Sequence, residues 1–309
     1  MTRTWRHAMV ATSMALVAAP AVIARQAPVT TALERFTVSS DAHPMAVWAR
    51  RPASPQGTVL LVHGRTWSSR PDFDLQVPGL RRSVMQSLAD RGFAAYAVDL
   101  RGYGETPRDQ TGWLTPRQSA ADVRAILIWL AAQHSALPPP ALVGWSRGGG
   151  VAMLVAQSDP RRMSALVLFG FVFDPDALYP DTPAPSRPLR LRNTASSAAS
   201  DFVSPAVTPP AVVEAFVAQA LEADPMAADL KNDGEFNVLD PARVTVPTLV
   251  IFGDRDINVP PGEGDRFVSR LRSPRKQLVA LPGADHAAQL EDTHDAWIAA
   301  VVGFIKPGK

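Results

Sequence analysis

Short runs of consecutive apolar residues alternate along this chain with longer segments in which apolar residues recur at helical spacing. The apolar runs are residues 58–62, 93–98, 141–145, 165–169, 247–252 and 277–281. The segments with helical spacing are residues 78–91, 116–133, 147–157, 262–271 and 292–305. A continuous apolar run that ends at turn residues is typical of a strand buried on both faces. Strands that alternate with helices predict an α/β fold, in which helices flank a mostly parallel sheet.

Two parts of the chain depart from this alternation. Residues 35–39 and 45–50 alternate apolar and polar positions, which predicts an opening β-hairpin. Residues 173–240 are rich in proline, serine and alanine and contain one helical piece at residues 210–221. We interpret this stretch as an insertion into one domain that spans residues 25–309, because the regular pattern of strands and helices resumes after it.

Three residues predict where the second of these helices begins. Thr115 is suited to cap the helix, and Pro116 is suited to its first turn. Gln118, three residues after the cap, completes the pattern of a capping box, in which its side chain bonds back to the cap residue. We therefore expect the helix to start at residue 116.

Composition and charge exclude several classes of protein. The chain has 309 residues, of which 46% are hydrophobic, so it can bury a sizeable core. It has no cysteine, which excludes disulfides, cysteine-bound zinc and thiol nucleophiles. Arg3 and Arg6 are the only charged residues among the first 24, and the rest of the chain carries 29 basic and 29 acidic residues. This balance argues against a nucleic-acid partner, which would require an excess of basic charge.

The first 24 residues have the layout of a secretory signal peptide. A short basic stretch at residues 1–7 precedes an apolar run of about 17 residues that ends in small or apolar residues. The run is short for a transmembrane helix and contains Pro20, which favours a signal peptide over a permanent anchor. We expect cleavage between Ala24 and Arg25, with Ala27 as the alternative site. The mature protein is then periplasmic or secreted and keeps no stable membrane anchor.

Residues 144–148 read Gly-Trp-Ser-Arg-Gly and lie between a predicted strand and a predicted helix. A sharp turn from strand to helix forces its central residue into a strained conformation, and glycines two positions away relieve the crowding of the chain. The Ser146 hydroxyl then projects above the sheet near the N-terminus of a helix, where a developing anion is favoured. The pattern indicates a nucleophilic serine.

Further candidate residues follow other predicted strands. The backbone N–H of Arg65, after His63 and Gly64, is suited to form an oxyanion hole with that of Arg147. An acid follows the strand at 247–252, and His286 follows the strand at 277–281. Nucleophile, acid and histidine thus occur in the chain order that serine hydrolases of α/β type use.

Together these residues resemble the α/β-hydrolase fold family over nearly all of residues 35–306. The motifs that carry the resemblance are residues 63–64, 99–104, 144–148, 253–256 with Pro260, and 282–286. The resemblance implies an eight-stranded, largely parallel sheet and a lid inserted after the sixth strand, which residues 173–240 match. It also implies that Asp99 and Arg101 pair with each other and support the turn at Ser146, and that His63 holds its loop rather than reacting. No cofactor is implied.

The family pattern selects Asp256 as the catalytic acid, because it lies three residues after Gly253. Asp254 is then a turn residue that caps its own loop, and Asp174, after the sixth strand, is a third candidate. His286 is preferred to His294, for which a position on the surface of the last helix is expected. Four loop acids have carboxylates of the kind that bind hard metal ions: Asp72, Asp74, Glu105 and Asp109. Because their spacing is irregular, we expect them to be solvated and to bind no metal ion.

Aromatic residues near the motifs are candidates for an apolar substrate pocket or for core packing: Trp67, Trp145, Phe171, Phe173, Tyr179 and Phe202. Arg65, Arg70 and Arg147 are either solvated side chains or a site for an anionic substrate such as a half-ester. The predicted reaction on a small-molecule substrate is cleavage of a carboxylic ester through an acyl-enzyme. The same three residues also serve carbon–carbon bond hydrolases, amidases or peptidases, cofactor-free haloperoxidases and lyases, and a non-catalytic binding protein is a further alternative.

Overall fold

Eight strands form one sheet in the part of the chain that the computed structural model describes, which is residues 31–174, 176–180, 185–204 and 206–306. The strands are β1 Leu33–Ser40, β2 His43–Arg50, β3 Gly57–Val62, β4 Phe93–Val98, β5 Ala141–Trp145, β6 Ala165–Phe169, β7 Thr248–Gly253 and β8 Lys276–Leu281. Their order in the sheet is β1-β2-β4-β3-β5-β6-β7-β8. β2 pairs antiparallel with β1 and β4, and all the other neighbours are parallel. The predicted mostly parallel sheet and the opening hairpin are confirmed.

Helices cover both faces of the sheet. They are α1 Ser69–Phe73, α2 Val84–Asp90, α3 Pro116–Gln133, α4 Arg147–Ser158, α5 Ala195–Ala199, α6 Pro210–Ala223, α7 Glu263–Arg270 and α8 His294–Ile305. Alternate residues of a strand point to opposite faces. Leu60 of β3 accordingly belongs to the core with α3, α4 and α7, whereas Leu61 belongs to the core with α2 and α8. The predicted signal peptide, residues 1–24, lies outside the described residues. None of the helices that the structure describes is long and apolar enough to cross a bilayer.

The helix predicted at residues 78–91 is shorter than the apolar spacing suggested. The Leu80 N–H donates to the Val77 carbonyl at 3.1 Å and closes a turn, so the chain is not yet helical there. Ser83 caps the helix instead, because its side chain accepts a hydrogen bond from the Gln86 N–H at 2.9 Å. The helix therefore begins at Val84.

The start predicted for α3 is confirmed, but the capping box is only half formed. The Thr115 hydroxyl accepts a hydrogen bond from the Gln118 N–H at 3.3 Å. The Gln118 side chain does not bond back to Thr115 and donates instead to the Asp109 carboxylate at 2.6 Å. The preceding loop brings the Asp109 carboxylate within reach of the Gln118 amide N–H₂, and a bond to a charged acceptor holds the side chain there.

A long connection joins β6 to β7 and includes residues 173–240, which the composition predicts to be an insertion. We call residues 170–247 the inserted segment; it carries α5, α6 and two short 3₁₀ helices, Asp233–Val238 and Pro241–Arg243. Phe216 of α6 packs edge-on against Trp67, in the loop that follows β3, with ring centroids 6.2 Å apart. The inserted segment is thus packed against loops at the carboxyl ends of the parallel strands, which is where sites form in such sheets.

Candidate active site

Ser146 occupies the sharp turn between β5 and α4. Its backbone has φ 53° and ψ −124°, a conformation that residues with a side chain rarely adopt. A Cβ on Gly144 would overlap the Gly148 carbonyl, and a Cβ on Gly148 would overlap the Val62 carbonyl. The Ser146 N–H donates to the Phe169 carbonyl at 2.8 Å and fixes the turn to the neighbouring strand. Both glycines of the motif are required by close approach of the chain.

His286 and Asp256 are brought together from different loops. The His286 Nδ1 lies 2.8 Å from the Asp256 Oδ2, and the Asp256 side chain is almost entirely buried. The other Asp256 oxygen accepts a hydrogen bond from the Asn258 N–H at 2.9 Å. The carboxylate is therefore held on one side by its own loop and presents its second oxygen to the imidazole.

The two other candidate acids lie away from His286. Asp254 accepts a hydrogen bond from the Gly283 N–H at 2.8 Å, so it joins the loops after β7 and β8 rather than capping its own loop. Asp174 forms ion pairs with Arg270 at 3.3 Å and with Arg266 at 3.6 Å. Among the three acids, only Asp256 is hydrogen-bonded to the histidine.

His286 lies next to Gly170, a residue that lines the cavity containing Ser146. The Trp145 Nε1–H donates to the His286 carbonyl at 2.9 Å, and their ring centroids are 5.5 Å apart. A Cβ on Gly170 would lie 3.0 Å from the His286 ring, and Gly170 lines a cavity of about 300 Å³ together with Ser146. Among the described hydrogen bonds, the His286 ring is joined to Asp256 and not to the Ser146 hydroxyl. Such a bond often forms only when substrate binds.

The loop after β3 reaches the turn at Ser146. A Cβ on Gly64 would lie 3.6 Å from the Ser146 Cβ, and Arg65 and Arg147 both line the cavity that contains Ser146. The Gly64 N–H donates to the buried Asp72 carboxyl at 3.2 Å, which fixes the course of this loop. The two residues predicted for an oxyanion hole therefore lie at the cavity that Ser146 lines.

His63 is fully buried beneath this loop. Its Nε2 accepts a hydrogen bond from the Leu100 N–H at 3.1 Å, and its Nδ1 lies 3.0 Å from the Gly64 carbonyl. Burial lowers the pKa of His63 to about 4, so the ring is neutral at physiological pH. The ring joins the loops after β3 and β4 and has no contact with the His286–Asp256 pair.

Comparison with known proteins identifies the family of the chain. A family model described as "Serine aminopeptidase, S33" matches residues 53–293. The chain belongs to this α/β-hydrolase family. It is 27% identical over 243 residues to a monoacylglycerol lipase of Mycolicibacterium smegmatis, covering 75% of this chain and 81% of the lipase. It is 29% identical over 269 residues to a pimeloyl-[acyl-carrier protein] methyl ester esterase of Neisseria meningitidis, covering 81% of this chain and 93% of the esterase.

Solved structures share the fold of this hydrolase. A thermophilic esterase from Thermogutta terrifontis is 22% identical with a TM-score of 0.64, covering 88% of this chain and 98% of the esterase. A 2-hydroxy-6-oxo-6-phenylhexa-2,4-dienoate hydrolase from Rhodococcus is also 22% identical, with a TM-score of 0.66, covering 90% of this chain and all of that chain. At this identity the likeness extends to the fold alone.

The predicted ion pair between Asp99 and Arg101 is wrong. Arg101 of the hydrolase instead binds Asp122 of α3 with two hydrogen bonds of 2.8 Å. Asp99 is buried and accepts hydrogen bonds from the Trp48 indole at 2.9 Å and from the Ser69 N–H at 3.0 Å. These neutral donors satisfy the Asp99 carboxyl, so it has no need of the guanidinium two residues away.

The expectation that His294 lies on the surface is also wrong. His294 is the first residue of α8 and is almost completely buried. Its Nε2 lies 2.8 Å from the Ser87 hydroxyl of α2, and its Nδ1 lies 2.6 Å from the Gln289 carbonyl. Burial lowers its pKa. The ring is buried because α8 packs against α2 at this point, and it plays no part in the cavity with Ser146.

Two of the six candidate pocket aromatics, Phe171 and Tyr179, line the cavity of the hydrolase. Val172, Phe236 and Asn258 line it as well, and the sequence analysis had not singled them out. Phe173 stacks against Tyr179 from outside the cavity, with centroids 6.5 Å apart. Trp145 stacks on Phe169 beneath His286, and Trp67 packs on Phe216. The prediction missed Phe236 because its 3₁₀ helix shows no periodic pattern.

Two of the three candidate arginines converge on an acid that sequence reasoning missed. Asp233 lies 2.6 Å from Arg147 and 3.5 Å from Arg65, so it offsets part of their positive charge at the cavity. Arg70 lies over the ring of Trp48, 5.2 Å from its centroid, and lines a different cavity. The three arginines do not form a single cationic site.

The carboxylates considered for a metal ion do not share a site. Asp72 accepts from Gly64, Asp74 binds Arg50, Glu105 binds Arg35, and Asp109 accepts from Thr111 and Gln118. Within the described ranges, the structure has no group of three or more residues suited to hold a metal ion.

Proposed function

We propose that this hydrolase cleaves carboxylic esters, with Ser146 as nucleophile, His286 as general base and Asp256 as the residue that orients the imidazole. The observation that carries the proposal is the 2.8 Å contact between His286 and Asp256 against Gly170, which lines the same cavity as Ser146, a serine held at φ 53°. The names of the monoacylglycerol lipase and the methyl ester esterase support an ester as the substrate class.

The reaction begins when His286 takes the Ser146 proton and the serine oxygen attacks the ester carbonyl carbon. Asp256 holds the imidazole with Nδ1–H toward the carboxylate, which leaves Nε2 free to act as the base and stabilises the imidazolium that forms. The oxygen of the tetrahedral intermediate is stabilised by the backbone N–H groups of Arg65 and Arg147.

Collapse of this intermediate breaks the bond to the alcohol, which leaves with the proton held by His286. The acyl group remains on Ser146 as an ester. His286 then takes a proton from water, whose oxygen attacks the acyl-enzyme. The bond to the Ser146 oxygen breaks, His286 returns the proton to that oxygen, and the acid is released. Every proton transfer uses one imidazole, so no cofactor enters the mechanism.

Profiling with p-nitrophenyl esters from acetate to laurate tests the reaction. The Ser146→Ala variant should lose at least about 10³-fold in kcat, and Ser269→Ala, at an exposed serine on α7, should retain wild-type activity. A fluorophosphonate should label the wild type but not Ser146→Ala. Full ester activity in Ser146→Ala would refute the proposal.

The family description names a peptidase, which makes peptide bonds the second substrate class to test. Amino-acid p-nitroanilides contain an amide in place of the ester, and their cleavage releases p-nitroaniline, which is also followed by its absorbance. We expect a higher kcat/KM on esters than on the matched anilides. The reverse preference would make the hydrolase a peptidase that uses the same three residues.

We also propose that the protein is exported, on the pattern of residues 1–24. Expression of the full chain in a bacterium should yield a periplasmic or secreted protein whose first residue is Arg25. N-terminal sequencing of the purified protein tests this. An intact N-terminus on a cytoplasmic protein would contradict it.

A further inference from the structure

The residue before the proposed catalytic histidine carries a buried carboxylate with an unusual set of partners. Asp285 is completely buried. Its Oδ2 accepts hydrogen bonds from the Val203 N–H at 2.8 Å and the Ser204 N–H at 2.7 Å. Its Oδ1 accepts one from the Ala287 N–H at 2.9 Å. A buried carboxylate is costly unless such donors satisfy it, so these three bonds fix its position.

Two of those donors belong to the inserted segment and the third to the histidine loop. Asp285 therefore joins residues 203–204 to the backbone on both sides of His286. A second backbone bond reinforces the connection, because the Asp292 N–H donates to the Val207 carbonyl at 2.9 Å. His286 is thus held by Asp256 through its ring and by the inserted segment through the chain beside it.

A second buried acid supports Asp285. Glu291 is completely buried, and its carboxyl oxygens lie 3.1 and 3.4 Å from the Asp285 nitrogen. Burial, with a hydrogen bond to the Asp285 side chain, raises the pKa of Glu291 to about 9. Glu291 is therefore protonated at neutral pH. Its proton allows two carboxyl groups to share a site that two negative charges would disrupt.

The ionisable groups around this pair do not neutralise it. Asp256 is a further acid that acts on Glu291, and Asp201 is a further acid that interacts with Asp285. Bases in the adjoining segments are engaged elsewhere: Arg82 pairs with Asp292 at 2.6 Å, and His294 bonds to Ser87 and to the Gln289 carbonyl. The pair consequently depends on the proton of Glu291 and on backbone N–H groups.

We propose that Asp285 and Glu291 form a positioning pair that sets the place of His286 together with the place of the inserted segment. The inference rests on the proposed role of His286 as general base. Loss of the Asp285 bonds releases residues 203–204 and the histidine loop at the same time. Both the imidazole and the adjoining part of the inserted segment are then no longer held in position. Loss of the Glu291 proton puts a second buried negative charge beside Asp285 and has the same result.

Two conservative substitutions test the pair. Asp285→Asn removes the charge and places an amide N–H₂ against backbone donors, and Asp265→Asn makes the same change at an exposed position of α7. We expect Asp285→Asn to lower kcat on a short ester by about 10²-fold, the effect of a displacement near 1 Å. Asp265→Asn should retain the wild-type kcat.

Glu291→Gln imitates the protonated acid and Glu291→Ala does not. The kcat of the wild type should fall as pH rises through about 9, where Glu291 loses its proton. In Glu291→Gln this fall should be absent while kcat at neutral pH stays near that of the wild type, and Glu291→Ala should have a low kcat at every pH. A role in stability alone would lower the melting temperature of the variants without removing the alkaline fall in kcat.

The outcomes separate this inference from the proposed function. Equal kcat in Asp285→Asn and Asp265→Asn, or an unchanged alkaline fall in Glu291→Gln, would overturn the positioning role while labelling of Ser146 still upheld the serine mechanism. Absence of both labelling and ester cleavage in the wild type would overturn the function itself. If Asp285→Asn does not fold, the pH profile of Glu291→Gln decides the question.

Discussion

The Nδ1 of His286 lies 2.8 Å from the Oδ2 of Asp256, although 30 positions separate the two residues along the chain. They are neighbours because they follow β7 and β8, which are adjacent parallel strands in the sheet. Parallel strands end at the same edge, so loops that are distant in sequence meet there. This contact distinguishes Asp256 from Asp254, which lies only two residues away in the chain and bonds to Gly283 instead.

Substitution of the paired acid should disable the histidine. In Asp256→Asn the amide would favour the wrong imidazole tautomer, and we expect kcat to fall by about 10⁴-fold with little change in melting temperature. Asp254→Asn is the matched control, because its amide oxygen still accepts the bond from Gly283. Steady-state kinetics on one ester compares the two, and a larger loss in Asp254→Asn would exchange their roles.

Gly170 should be required for the position of the histidine ring. A Cβ there would lie 3.0 Å from the His286 Cε1 and Nδ1 and 3.2 Å from the Asp256 Oδ2. Gly170→Ala should therefore lower kcat by tenfold or more, up to about 10²-fold. Gly262 also has a positive φ, 83° against 54° at Gly170, but a Cβ there would enter open space. Gly262→Ala should therefore cost only about 1–2 kcal/mol of unfolding free energy and leave kcat unchanged. Equal kcat losses in the two variants would indicate a general effect of backbone strain.

Burial of His63 should make the folded state sensitive to acid. Its pKa is lowered from 6.5 to about 4 in the fold, so the unfolded chain binds the proton more readily. The stabilisation is fully present above pH 6.5 and is lost as pH falls toward about 4, by up to about 3 kcal/mol. Urea unfolding of the wild type and of His63→Gln should show a difference in stability that shrinks over this range. Parallel pH dependences would contradict the prediction.

The ion pair between Arg50 and Asp74 should be important for stability. Both side chains are buried, with exposed fractions of 8% and 2%, and they form two hydrogen bonds of 2.7 and 2.9 Å. Asp74→Ala leaves the guanidinium buried without its partner, so we expect a loss of about 3–5 kcal/mol in unfolding free energy. Glu105→Ala breaks the exposed pair with Arg35 and should cost no more than about 1 kcal/mol. Chemical denaturation of both variants measures the contrast.

Much of the fold and the reactive turn was predictable because the signals are local. The apolar runs of the central strands are continuous, and the Gly-x-Ser-x-Gly pattern around Ser146 occupies five consecutive residues. The chain order of Ser146, Asp256 and His286 is given by the sequence, and each residue follows a predicted strand that ends at the same edge of the sheet. The start of α3 was also local, since Thr115 caps it through its own side chain.

The pairing of polar side chains was much less predictable. Arg101 bonds to Asp122 rather than Asp99, and His294 is buried against α2. Each of these partners comes from a separate helix whose packing angle and register no local pattern records. The walls of the cavity were missed for the same reason, since Phe236 comes from the inserted segment.

The sequence by itself determined the order of strands and helices, the strained turn at Ser146 and the set of residues able to react, because backbone sterics and apolar periodicity act over a few residues. Only the tertiary structure decided how closely Asp256 approaches His286, that Asp233 lies between Arg65 and Arg147, and that Asp285 joins the histidine loop to the inserted segment. Those relationships are set by how distant elements pack, and burial then fixes which hydrogen bonds and charges each group can have.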